Sequence, residues 1–136
     1  MRGVVPWTIL LGTAVIGGTT LYHDTRTIRA EHVTLVYVGA KDCNPCRTWQ
    51  EGAGANFRAS AEFSRLTYRE VNAPTLFDVL KDEYWPTELR ELRDTLDKRA
   101  GVPYWFIVAD GRVILTAGGL SQWASAVLPT LKSLSR

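Results

Sequence analysis

Cys43 and Cys46 stand two residues apart in Asp42-Cys43-Asn44-Pro45-Cys46, and the chain has no other cysteine. At that spacing two thiols can close into a small disulfide ring or open to a dithiol, so the chemistry on offer is thiol–disulfide exchange. The same spacing also serves as half of a zinc site, but zinc takes four protein ligands, or three with water. The histidines are His23 and His32 only, and neither has ligand spacing to the pair. A structural staple is the third use. A bridge across so few residues removes little chain entropy and is a poor staple.

The residues before the pair must place it. Val33-Thr34-Leu35-Val36-Tyr37-Val38 is apolar and rich in β-branched residues, the pattern of a strand buried on both faces. Gly39 and Ala40 are small residues where the chain leaves the sheet. The sequence turns helix-like after Cys46, so the thiols fall at a strand-to-helix junction with Cys43 near the first helical turn. Unpaired N–H groups and the helix dipole favour a thiolate there. Pro45 suits an early helical position, because it has no N–H to leave unpaired and its φ is preset.

Further elements alternate. Arg47 to Leu66 reads as largely helical, with Trp49, Phe57, Ala61 and Phe63 as packing residues and a kink or split at Gly52 and Gly54. Thr67 to Val71 alternates like a strand, and Asn72-Ala73-Pro74 turns. Thr75 to Tyr84 allows a helical turn or two. Trp85-Pro86 breaks it, and Thr87 is placed to cap a helix over Glu88 to Arg99, with Leu89, Leu92 and Leu96 on one face. Ala100-Gly101 ends that helix. Val102-Pro103 leads into the apolar strand Tyr104 to Val108, and Asp110-Gly111 signals a hairpin to a returning strand over Arg112 to Thr116. Ser121 is placed to cap a last helix, in which Trp123, Ala126, Val127, Leu131 and Leu134 recur at helical spacing and Pro129 introduces a bend.

The amino-terminal zone differs in composition. Val4 to Tyr22 carries no formal charge, close to the length that crosses a bilayer as a helix. Trp7 and Tyr22 lie near its ends, where interfacial aromatics sit. Its glycines and threonines weaken it as a soluble helix but are tolerated in a membrane. Residues 1–22 are therefore expected to be a transmembrane anchor, with a cleaved signal segment as the alternative; no A-x-A-like cleavage site is present. Residues 23–29 read as a polar linker, and 30–136 as one domain of ordinary size. A composition of 46% hydrophobic and 22% charged residues is globular, and a net charge of +2 gives no ground for a nucleic-acid partner.

The order strand, CxxC helix, strand, helix, Val-Pro strand, hairpin, strand, helix resembles the thioredoxin superfamily. VTLVYVGAKDCNPC, RAGVPYWFIVADGRVI and GGLSQW match its pattern in order, and the likeness spans nearly all of Ala30 to Leu134. It implies an α/β thioredoxin-like fold, with a central mixed sheet flanked by helices and preceded here by the amino-terminal hydrophobic segment. It implies Cys43 as the exposed nucleophile, Cys46 as the buried resolving thiol, and Pro103 as a cis-proline facing the pair. The Val102 backbone would then meet an extended substrate, with Asp42, Asn44 and Pro45 supporting the motif. No metal and no cofactor beyond the Cys43–Cys46 couple is implied.

The partners implied are protein disulfides or dithiols, together with a membrane or soluble electron donor such as a thiol–disulfide interchange protein. The implied location is the bacterial inner membrane with the domain facing the periplasm, or the periplasm itself after cleavage. The chain departs from the family at two places. Tyr37 stands where many thioredoxins carry a buried carboxylate, and Asp42 where they carry tryptophan. A carboxylate beside Cys43 opposes thiolate formation, with Lys41 and Arg47 able to offset it. This favours a reductase over an oxidase or isomerase; the remaining alternative is a non-enzymatic binding or metal-handling module.

Overall fold

The computed structural model of the chain describes residues 30–97 and 99–135. The expected anchor or signal segment (1–22) and linker (23–29), His23 included, lie outside these residues. Among the described residues no helix is long and apolar enough to cross a membrane.

The apolar run before the cysteines forms β1 (Val33–Ala40), buried from Leu35 onward on both faces. The CxxC segment continues into α1 (Asn44–Glu51), followed by α2 (Ala53–Arg58). The break falls at Gly52, whose φ and ψ of −106° and −102° leave the helix, as the glycines predict. A 3-10 turn (Phe63–Arg65) leads to β2 (Thr67–Ala73). Ala61, expected to pack, is exposed; Phe57 and Phe63 instead meet edge to face at 5.6 Å.

The region between β2 and the next strand holds three 3-10 turns (Leu76–Asp78, Asp82–Tyr84, Thr87–Leu89) and the short helix α3 (Arg90–Asp94). The helix expected over Glu88 to Arg99 is thus cut to five residues. Its last turn tightens because the N–H groups of Thr95 and Leu96 bond to Leu92 and Arg93, three residues back. The Thr95 hydroxyl also takes the Leu92 carbonyl at 2.7 Å. Leu89, Leu92 and Leu96 still turn toward the core, so the apolar face was legible although the helix length was not. Thr87 does not cap: it lies inside its turn, and the Pro86 carbonyl accepts the Leu89 N–H.

β3 (Tyr104–Ala109) and β4 (Arg112–Gly118) form the expected hairpin. Asp110 and Gly111 both take positive φ, 48° and 77°, as a tight two-residue turn requires. The Asp110 side chain accepts the His32 N–H at 2.9 Å and returns its own N–H to the His32 carbonyl, tying the start of the domain to the hairpin. The last helical segment runs through α4 (Leu120–Gln122), a π-helical stretch (Trp123–Val127) and α5 (Leu128–Leu134). Ser121 lies within it rather than capping it. Gly119, at φ 89°, turns the chain and supplies the carbonyl for the Gln122 N–H. Pro129 falls in the first turn of α5, where the widened π stretch before it absorbs the missing donor.

The sheet order is β2-β1-β3-β4. β1 pairs parallel with β2 and antiparallel with β3, and β3 pairs antiparallel with β4. The sheet is therefore mixed, with β1 central, and the cysteines leave from its carboxyl end.

Candidate active site

β1 carries the chain to Ala40 in the middle of the sheet, and the Cys43 N–H bonds back to the Ala40 carbonyl at 3.2 Å to make the turn. Cys43 itself caps α1. Its backbone is extended (φ −90°, ψ 113°) and its sulfur accepts the Cys46 N–H at 3.2 Å. A donor left unpaired by the helix start thus points at the sulfur, which stabilises negative charge on it once the thiol is ionised. Pro45 occupies the first helical turn as its geometry predicts.

The two sulfurs are bonded, with Cα atoms 5.2 Å apart. Both residues are mostly covered: Cys43 is 4% exposed and Cys46 1%. Cys43, expected as an exposed nucleophile, is thus buried almost as fully as Cys46 in this bonded state. The Val102–Pro103 peptide is cis, and the Val102 carbonyl oxygen lies 3.7 Å from Cys43 Sγ. The Pro103 carbonyl accepts the Gly119 N–H at 2.8 Å, which fixes the loop after β4 beside the pair. Cys43, Cys46, Val102 and Pro103, distant in sequence, are brought to one place. Asn44 and Pro45 are exposed on the first turn of α1. Asn44 accepts the Thr48 hydroxyl on its carbonyl at 3.1 Å, which ties the second turn to the first.

Asp42 adopts a role that its position in sequence did not reveal. Its carboxylate accepts the Leu76 N–H at 2.8 Å, clamping the loop after β2 to the residue preceding Cys43. The signal was absent from the sequence because the partner is a backbone amide 34 residues away.

Behind the pair, Cys46 borders a cavity of about 310 Å³ that Tyr37, Arg47, Gln50, Glu70 and Asn72 also line. A polar chain runs along it. Arg58 donates to Gln50 at 2.9 Å, Gln50 to Glu70 at 3.0 Å, and the Tyr68 hydroxyl to Glu70 at 3.1 Å. Only the parallel register, which sets Tyr37 beside Glu70, brings these residues together. Burial pushes the Tyr37 phenol up; the Gln50 side chain, near the hydroxyl without bonding to it, acts in the opposite direction. Tyr68 is raised further, first by burial and then by the Glu70 carboxylate. Among the described residues no group of His, Cys, Asp and Glu side chains is gathered to hold a metal ion. The arrangement can cycle one dithiol and one disulfide beside the part-buried Val102 carbonyl.

No protein-family model matches the sequence, and no curated protein matches it either. Solved structures do. A thioredoxin from Malassezia sympodialis superposes with a TM-score of 0.54 at 15% identity, over 79% of this chain and 81% of that one. The short form of thioredoxin f from spinach chloroplast gives 0.52 at 12% identity, over 86% and 88%. The reduced periplasmic thioredoxin SoxS from Paracoccus pantotrophus gives 0.51 at 13% identity, over 76% and 96%. With the mixed sheet, the CxxC helix and the Val102–Pro103 bend all in their places, the fold of this chain is the thioredoxin fold.

Proposed function

We propose that this chain is a thiol–disulfide oxidoreductase that reduces disulfides of exported proteins through Cys43 and Cys46. The observation that carries the reading is the bonded pair at the start of α1, with the outer sulfur accepting the Cys46 N–H and lying 3.7 Å from the Val102 carbonyl oxygen. In the reduced protein the Cys43 thiolate attacks one sulfur of a substrate disulfide. A Cys43–substrate bond forms, the substrate S–S bond breaks, and the departing sulfur takes a proton. Cys46, deprotonated, then attacks Cys43 Sγ and expels the second substrate sulfur. The substrate gains two electrons and two protons, and the protein is left with the Cys43–Cys46 disulfide. A dithiol donor, membrane-bound or soluble, reverses the last state.

Placement outside the cytoplasm rests on the uncharged stretch Val4 to Tyr22, read as an anchor in the bacterial inner membrane with the domain in the periplasm, or as a segment removed on export. The periplasmic thioredoxin among the structural neighbours supports that placement. Asp42 next to Cys43 supports a reducing direction, because its charge disfavours the thiolate and so disfavours a strongly oxidising couple.

The test is the reduction potential of the couple together with insulin reduction by dithiothreitol. Reducing exchange proteins lie near about −270 mV and strongly oxidising ones near about −120 mV. A value in the lower part of that range with catalysed insulin precipitation is expected. A value near the upper end would turn the reading to an oxidase, and no catalysis would leave a binding module.

A further inference from the structure

The cavity of about 310 Å³ behind the inner sulfur is not used by the exchange steps with a protein substrate, which take place at Cys43. Its walls carry both signs of charge. Lys41 and Arg47 stand on either side of the cysteine pair in the chain, Glu51 is one helical turn on from Arg47, and Glu70 lines the cavity from β2. Among the described residues none of these four joins an ion pair. Arg47 donates to the Asn44 amide at 3.4 Å, and Glu70 accepts from the neutral Gln50 and Tyr68 side chains. The Tyr37 hydroxyl is buried in the same wall with no hydrogen-bond partner among the described residues. Two cations, two carboxylates and an unpaired phenol around one small space suit a molecule that carries a carboxylate and an ammonium together.

The sulfur chemistry leads to the same place. Cys43 Sγ accepts the Cys46 N–H at the start of α1, so of the two sulfurs it is the better placed to hold negative charge. Exchange is faster when the departing sulfur is the more stable thiolate. Attack on Cys46 Sγ, which expels Cys43, has that better leaving group. Cys46 is 1% exposed, so the bulk of a protein substrate is kept from it. The cavity that it borders has room for a molecule the size of a free amino acid.

We propose that this cavity binds a small zwitterionic thiol, such as free cysteine, and that its thiolate reduces the Cys43–Cys46 disulfide by attacking Cys46 Sγ. Lys41 and Arg47 meet the ligand's carboxylate, and Glu51 and Glu70 its ammonium. A bond forms between the ligand sulfur and Cys46, the Cys43–Cys46 bond breaks, and Cys43 leaves as a thiolate. A second ligand thiolate then attacks the ligand sulfur. The two ligands depart joined as a disulfide, and Cys46 leaves as a thiolate that takes a proton. The protein gains two electrons and becomes the dithiol. The proposal rests on the thiol–disulfide reading above and adds the chemical class of an electron donor: protein substrates meet Cys43 from outside, and the small donor meets Cys46 from the cavity.

The test mixes the oxidised full chain with L-cysteine and quenches early with excess N-ethylmaleimide. Fragment mass spectrometry of residues 42–47 then shows which sulfur carries the cysteine. Cysteine on Cys46 with maleimide on Cys43 is expected, and the reverse overturns the proposal. Rates of disulfide opening are compared for cysteine, cysteamine, which lacks the carboxylate, and 3-mercaptopropionate, which lacks the ammonium, at equal thiolate concentration. Cysteine is expected to be about fivefold faster than either, the effect of one exposed ion pair. Lys41→Gln with Arg47→Gln should erase its advantage over cysteamine, and Glu51→Gln with Glu70→Gln its advantage over 3-mercaptopropionate. All four side chains are exposed, so these changes keep the fold, which a thermal melt checks, and a ratio taken within each variant cancels any general loss of rate. Equal rates for the three thiols overturn the proposal. If dithiothreitol still drives insulin reduction in that case, the exchange reading stands without the cavity. A Cys46 adduct and a preference for cysteine, with no insulin reduced, keep the cavity and sink the exchange reading.

Discussion

Tyr37 lies flat on Trp49, with ring centroids 4.8 Å apart and planes 12° from parallel. Trp49 in turn meets Trp105 and Trp123 edge-on, at 5.5 and 4.9 Å. Trp49 sits three residues after Cys46 on α1, so the inner sulfur and the indole belong to one buried face. The inner sulfur is thus backed by a stack of rings. The Tyr37 hydroxyl and the Nε1 groups of Trp49 and Trp105 are buried there without a hydrogen-bond partner among the described residues. Each such group costs about 1–3 kcal/mol, offset by the ring contacts and the apolar area they bury.

The stack has room for Tyr37 only because residue 39 has no side chain. A Cβ built on Gly39 would fall 2.1 Å from the Tyr37 hydroxyl oxygen and 2.6 Å from its ring carbon Cζ. Gly39→Ala is expected to destabilise the fold by about 1–3 kcal/mol, as overpacking does. Removing only the hydroxyl does not cure it, because the ring itself is in the way; Gly39→Ala with Tyr37→Val should cost less than the two single changes summed. Urea unfolding of the four chains measures this, and strict additivity would show that the two residues do not compete for the same space.

Tyr37 and Tyr68 set an alkaline limit. Burial comes first for both, and both phenols are raised above their ordinary value of 10.0. The folded state therefore favours the neutral phenol. The stability this contributes is complete below about pH 10, where an unfolded tyrosine is still protonated, and is lost as pH climbs through the folded value. Stability from denaturant titrations should stay level on this account up to about pH 10 and fall above it. Tyr68→Phe should flatten that fall more than Tyr37→Phe, since Tyr68 is the more strongly shifted. Identical alkaline limbs in all three chains would remove these two tyrosines as the cause and leave Tyr84, whose phenol is also raised.

The exchange steps assign different fates to the two sulfurs. Cys46→Ser leaves Cys43 able to attack but removes the thiol that releases the product, so a covalent Cys43–substrate disulfide should accumulate and be released by dithiothreitol. Cys43→Ser should yield no such adduct, because Cys46 is 1% exposed and lies behind the first sulfur. Non-reducing gels with an oxidised protein substrate read the outcome. Equal trapping by both variants would contradict the assignment of outer and inner roles.

The sequence showed the strand, the CxxC turn and the hairpin because each is signalled by neighbouring residues: a β-branched run, Pro45 in a first turn, Asp110-Gly111; the cis Val102–Pro103 bend was expected only from the resemblance to the thioredoxin superfamily. It did not show the region between β2 and β3, where local bonds such as that from the Thr95 hydroxyl to the Leu92 carbonyl shorten a helix that the leucine spacing predicts. It also did not show contacts made by register or by backbone amides. Glu70 beside Tyr37 depends on how β2 lines up with β1, and the Asp42–Leu76 bond joins a side chain to an N–H far along the chain. The amino-terminal stretch Val4 to Tyr22, legible as apolar, lies outside the described residues.

That Asp42–Leu76 bond separates two effects of one carboxylate, its charge and its grip. Asp42→Asn keeps an oxygen that can accept the Leu76 N–H and removes the charge beside Cys43; Asp42→Ala removes both. A negative charge on the residue next to an ionising thiol that is mostly covered changes the thiolate fraction by at least about threefold, the figure for a water-like dielectric. Alkylation of reduced Cys43 by iodoacetamide at fixed acidic pH should therefore speed up by at least that factor in both variants. Only Asp42→Ala should also speed amide exchange at Leu76 and proteolysis within residues 74–82, because only there is the clamp lost. If alkylation is unchanged in Asp42→Asn, the carboxylate is not felt at the sulfur, and the preference for a reducing couple loses its electrostatic basis. If Asp42→Asn loosens Leu76 as much as Asp42→Ala does, the clamp depends on the charge itself and not on an acceptor in that place.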